Sequence, residues 1–174
     1  MLLRSLPKVL VSVTLVLSSM LALGQAPAAP AAPAVNSYLI PYGPSVNLEG
    51  ARKAAGAALA EARKNGWLMV VAVVDISGDL VYYEKMDNTQ LASAKVAIGK
   101  ARSAALYKRP TKALQDALAA GGAGLRILGL EGAVPVEGGV PLMADGKIIG
   151  AIGLSGDVSE HDGQCARAGA DALK

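Results

Sequence analysis

Residues 137–162, EGGVPLMADGKIIGAIGLSGDVSEHD, most restrict how this chain can fold. Two apolar runs in it are separated only by Asp145 and Gly146. That pair tolerates φ > 0 at both positions, so it suits a type I′ turn whose twist matches the strands it joins. Residues 140–144 and 147–155 are therefore predicted to form a β-hairpin. In the second strand Ile148, Gly150, Ile152 and Leu154 share one face, and Ile149, Ala151, Gly153 and Ser155 share the other. Gly150 and Gly153 weaken a strand on their own, which points to close approach of another backbone, a helix or a ligand. After Gly156, Ser159 is expected to cap a helix, with Asp162 reaching back as an acidic form of the capping box. Such a strand, glycine loop and helix N-terminus presents free N–H groups to an anion. A hairpin followed by a capped helix accounts for the same spacing. Gly138 and Gly139, just before the hairpin, suit either a backbone nest for an anion or a plain loop.

The chain begins with a different kind of segment. Arg4 and Lys8 precede an apolar run over residues 9–23, and small residues stand at Ala22 and Gly24. This is the pattern of a secretory signal peptide covering residues 1–24, cleaved after Gly24. The apolar run is short for a membrane span, so no stable insertion is expected after cleavage. Residues 25–46 open with an Ala/Pro repeat that reads as an extended tether. Residues 47–174 then make one domain of ordinary size.

Seventeen basic and 14 acidic residues give a net charge of +3, to which Arg4 and Lys8 contribute two. What remains is nearly balanced and lacks the basic footprint of a nucleic-acid binder. The single cysteine, Cys165, allows no intramolecular disulfide and is expected to be buried.

Within the domain, residues 48–65 predict a helix with an alanine stripe, Asn47 as N-cap and Gly66 as stop. The run WLMVVAVV at residues 67–74 reads as a central strand, and residues 80–86 as its hairpin partner across a turn at Asp75–Asp79. Residues 91–107 predict a second alanine-striped helix with Lys95, Lys100 and Arg102 on its wetter side. Pro110 ends it, and Thr111 is expected to cap a short helix over residues 112–120. Residues 125–130 suit a helical turn, residues 134–136 an edge strand, and residues 159–173 the last helix. The fold class is α+β, an antiparallel sheet of about five strands covered by helices. Alanine-lined helices on so small a domain favour self-association into a homo-oligomer.

The familiar catalytic constellations do not occur. With one histidine there is no HExxH pair, and no GxSxG elbow or P-loop is found. Asp75, Asp87 and Asp157 fall at strand ends, where aspartate usually forms turns.

Three stretches, taken together, resemble the GlcG/HbpS-like family of haem-degrading or extracellular haem-binding domains. They are VAVVDISGDLVYYEKMDNTQLASAKVAIGKARSAA, GGVPLMADGKIIGAIGLSG and SEHDGQCARAGADAL. The resemblance runs from Leu48 to the C-terminus. It implies a profilin-like layout, oligomeric assembly, and haem or a related tetrapyrrole as ligand in a periplasmic or secreted protein. Related domains serve glycolate use and accompany cobalamin enzymes, so three readings stay open: a haem carrier, buffer or sensor partner; an enzyme that degrades haem or converts another small molecule; and an oligomeric interaction module without a small ligand. Under the haem reading, Gly138, Gly139, Ser155, Gly156 and the Ser159–Asp162 helix start border the site, with Gly150 and Gly153 leaving space for a flat ligand. Lys95, Lys100 and Arg102 would neutralise a propionate. Family analogy suggests Thr111 as axial ligand; the chemistry of imidazole and thioether suggests His161 and Met86. The chain has no phenylalanine, so a tetrapyrrole would pack on aliphatic residues, tyrosine or Trp67.

Overall fold

A computed structural model describes residues 36–174; the predicted leader and most of the tether lie outside them. Helix α1, Leu48–Asn65, starts where Asn47 accepts the Gly50 N–H at 2.8 Å. It ends where Gly66 turns to φ 73°. Strands β1, Val70–Val74, and β2, Leu80–Lys85, follow. In the turn between them, Asp75 Oδ1 accepts the N–H groups of Ser77 and Asp79 at 2.8 and 2.9 Å, so Asp75 is a turn former. Helices α2, Ser93–Leu106, and α3, Thr111–Ala119, lead to a 3₁₀ segment, Gly122–Gly129. Strands β3, Gly139–Ala144, and β4, Lys147–Ser155, form the second hairpin, and α4, Ser159–Asp171, completes the domain. Asp145 and Gly146 have φ 48° and 71°, as a two-residue I′ connection requires.

The sheet is antiparallel with order β2-β1-β4-β3, so the two hairpins join through their inner strands. Val71, Val73, Ile152 and Leu154 face α1 and α4; Val70, Ala72, Val74 and Ala151 face α2. The alanine stripes are used inside the domain. A Cβ added to Gly169 would come within 2.8 Å of the Ala54 carbonyl, which shows how closely α1 and α4 approach. Cys165 is fully buried in this layer, and burial pushes its thiol up to about 12.

Three local expectations are corrected. Residues 134–136 form no fifth strand. Val136 N–H donates back to the Val134 carbonyl at 2.9 Å, closing a three-residue turn around Pro135. Ser159 does not cap α4; Val158 occupies the cap position without a side-chain bond, and Asp162 turns inward. Thr111 likewise begins α3 behind Pro110 instead of capping it.

Candidate functional site

The Gly138–Gly139 loop and the Ser155–Asp162 junction do meet. Between them Lys100 Nζ donates to Asp162 Oδ2 at 2.6 Å, with side chains only 1% and 3% exposed. Burial pushes the Asp162 carboxyl above its ordinary range; Lys100 and the backbone N–H groups of Asp157 and Gly156 pull it back. Thr111 Oγ1 accepts the Gly139 N–H at 2.9 Å, and Ser155 Oγ lies 3.2 Å from Ser93 Oγ.

This meeting is packed solid. A Cβ on Gly138 would stand 2.8 Å from Asp162 Cβ and 2.9 Å from Lys100 Nζ. One on Gly139 would stand 2.3 Å from the Lys100 carbonyl. The space expected for a flat ligand at Gly150 and Gly153 is also filled. At Gly153 the neighbour is α2 backbone, with Ala97 O at 2.2 Å and Ala101 N at 2.5 Å from an added Cβ. At Gly150 it is the Val74 carbonyl at 2.3 Å. The sheet glycines serve helix and strand packing.

Lys100 is therefore not on a wet face. Arg102, two residues on and so on another side of α2, donates from Nε to the Gly78 carbonyl at 2.9 Å. The two cations do not converge, and Lys95 stands exposed on the helix. The axial candidates are scattered too. The Thr111 side chain is buried against Gly139. Met86 is half-buried in a recess with Leu68, Glu84 and Asp87, and its sulfur accepts the Met69 N–H at 3.4 Å. His161 stacks on Trp67 with ring centroids 3.8 Å apart; its Nδ1 is 3.4 Å from Asp157 Oδ2 and has no hydrogen-bond partner. Among the described residues no group of three or more His, Cys, Asp or Glu could hold a metal ion.

Open space lies elsewhere. A groove of about 510 Å³ runs between the edge strand β3, the C-terminal part of α4 and the α2–α3 corner. Ile40, Val140, Pro141, Met143 and Ile148 give it an apolar wall, and Lys108, Arg167 and Lys174 stand along it. Arg167 Nη1 donates to Glu137 Oε1 at 2.8 Å, and Glu137 is buried with its own N–H given to Gln115 Oε1 at 2.7 Å. A second cavity, about 540 Å³, lies between α3 and the 3₁₀ segment, lined by Tyr38, Tyr107, Arg109, Arg126, Leu114 and Ile127 among others. The groove escaped the sequence reading because its parts come from four separate stretches. Only Pro141 and Met143, in a strand with an apolar partner, hinted at an open edge.

Residues 46–171 match the family model described as haem degrading protein HbpS-like. The chain belongs to the HbpS-like family. GlcG of Escherichia coli is 39% identical over 95 residues, which make up 55% of this chain and 69% of GlcG. Among solved structures, a double mutant of HbpS from Streptomyces reticuli superposes with TM-score 0.70 at 33% identity, covering 84% of this chain and 98% of HbpS. The PduOC:haem complex gives TM-score 0.67 at 27% identity, covering 75% of this chain and 96% of that one. The sheet and helix order of this HbpS-like domain are thus shared with a protein solved together with haem.

Proposed function

We propose that this domain is an exported haem-binding protein, acting as carrier, buffer or sensor partner. The observation that carries the reading is the fold shared with the PduOC:haem complex. Chemistry supports it. Haem has a flat apolar body, two propionates and an iron that takes imidazole, thioether or phenolate ligands. The β3–α4 groove combines an apolar wall, a methionine and three cations, in a volume ordinary for a cofactor site. When bound, haem supplies the iron chemistry; the chain's residues bind it, orient it and limit its contact with water. Export to the periplasm or medium rests on the leader-like residues 1–24. No helix among the described residues is long and apolar enough to cross a membrane.

Haemin titration of the protein should give a shifted Soret band that saturates. A spectrum of free haemin at every protein concentration would reject the reading and leave a ligand-free interaction module as the better account. The family's description favours a second reading, haem degradation. Incubating the haemin complex with ascorbate and oxygen separates the two: an opened tetrapyrrole among the products marks an enzyme, and unchanged haem marks a binding protein.

A further inference from the structure

We infer that the tetrapyrrole lies in the β3–α4 groove, with Arg167 and Lys108 meeting its propionates and the Met143 thioether facing its iron. This rests on the haem reading above and assigns it a place other than the glycine loop.

Arg167 is a prepared cation. Glu137, behind it, is only 5% exposed and holds one guanidinium nitrogen at 2.8 Å. The Arg167 side chain itself is 55% exposed, so its remaining donors face outward to the groove and solvent. A guanidinium fixed by a buried carboxylate offers a carboxylate ligand a fork whose ordering cost is already met. Lys108 is held differently. Its Nζ donates to the Ile40 carbonyl at 2.9 Å and lies 4.4 Å from the Tyr42 ring centroid, which leaves ammonium hydrogens for a second acceptor. Lys174 pairs with Asp171 at 2.6 Å beside them. Arg167 and Lys108 are therefore the two cations suited to two carboxylates.

The apolar wall fits the ligand's body. Pro141 and Met143 alternate with Leu142 along the edge strand β3, so Met143 reaches the groove while Leu142 stays in the core. Its thioether is the soft donor of this groove, of the kind that ligates haem iron.

The second cavity has the size, but neither a thioether nor an imidazole lines it. Arg109 Nε donates to the Tyr107 carbonyl at 2.9 Å and Arg126 Nε to the Ala123 carbonyl at 2.6 Å. The Tyr107 hydroxyl donates to the Glu131 carbonyl at 2.5 Å. Among the described residues no carboxylate braces either arginine as Glu137 braces Arg167.

The test titrates haemin and iron-free protoporphyrin IX into the protein and its variants, with circular dichroism as the check on folding. Met143→Ala should move the Soret maximum and weaken haemin while leaving protoporphyrin binding unchanged. Arg167→Gln and Lys108→Gln should each weaken both ligands about tenfold, as loss of one charge-assisted hydrogen bond implies. Raising the salt should shrink that loss. Lys108→Gln keeps the test sound if Arg167→Gln unfolds the protein by stranding Glu137. His161→Ala should titrate as the wild type. If the wild-type Soret band saturates and the Met143 and Lys108 variants match it, the groove is wrong and the haem reading stands. A band moved by His161→Ala and not by Met143→Ala overturns the inference in the same way. Absence of any wild-type band removes both.

Discussion

Lys100 and Asp162 bring opposite charges to a place that water does not reach. Removing two ions from water is costly, and a contact of 2.6 Å with backbone N–H groups on the carboxylate offsets that cost. The pair joins the middle of α2 to the first turn of α4, across the Gly138 backbone. Asp162→Asn leaves the ammonium 1% exposed and without a counter-charge, so it should cost about 3–5 kcal/mol in urea unfolding. Replacing both residues together, Lys100→Met with Asp162→Asn, should recover most of that loss. A double change as damaging as the single one would show that the charge is not the reason. None of this is legible from one sequence. Lys100 has the spacing of a residue beside other basic positions on α2, and Asp162 has the spacing of a capping acid; only the tertiary fold brings them together. His161 shows the same limit. Its helix position is readable, its stacking on Trp67 is not.

Elements were far more legible than contacts, because turns and caps are local chemistry. Asn47 and Gly66 bound α1 at the predicted residues, and Asp145-Gly146 makes the predicted turn. The fifth strand failed for an equally local reason, the missing N–H of Pro135 and the turn around it. Glycines test whether this reasoning is sound, since the same substitution should act in opposite directions at two sites. Gly146 stands at φ 71°, where an added Cβ costs roughly 1–2 kcal/mol. Gly56 lies exposed within α1, and a Cβ there meets nothing within 4 Å. Gly56→Ala should therefore stabilise by about 0.5–1 kcal/mol, while Gly146→Ala destabilises. Equal effects in urea melts would contradict the turn assignment or the helix assignment.

At the scale of the molecule, the alanine stripes no longer argue for assembly, since they are consumed between α1, α4, α2 and the sheet. Other surface takes their place in the argument. Leu91 on the α2 approach is 86% exposed, Leu106 50%, Leu80 on the edge strand β2 47%, and Leu128 on the 3₁₀ segment 70%. Exposed leucines beside an unpaired strand edge favour a second copy over water. Light scattering at micromolar concentration should give more than one protomer mass, with Leu80→Glu and Leu106→Glu together lowering it. A monomer before substitution would reject the expectation. Cys165, buried in the α1–α4 layer, should form no link between copies.

The seam between β1 and β4 also sets the order of assembly. Each hairpin closes a short loop, whereas Val70 must find Ser155 from the far end of the domain. Long-range pairing loses chain entropy before any contact rewards it, so the encounter of the two hairpins is expected to set the folding rate. In stopped-flow refolding, Ala72→Gly at the seam should slow folding, whereas losses at the outer strands should mainly speed unfolding. On that expectation, different strands of one sheet govern the lifetime of the native state and the speed of reaching it.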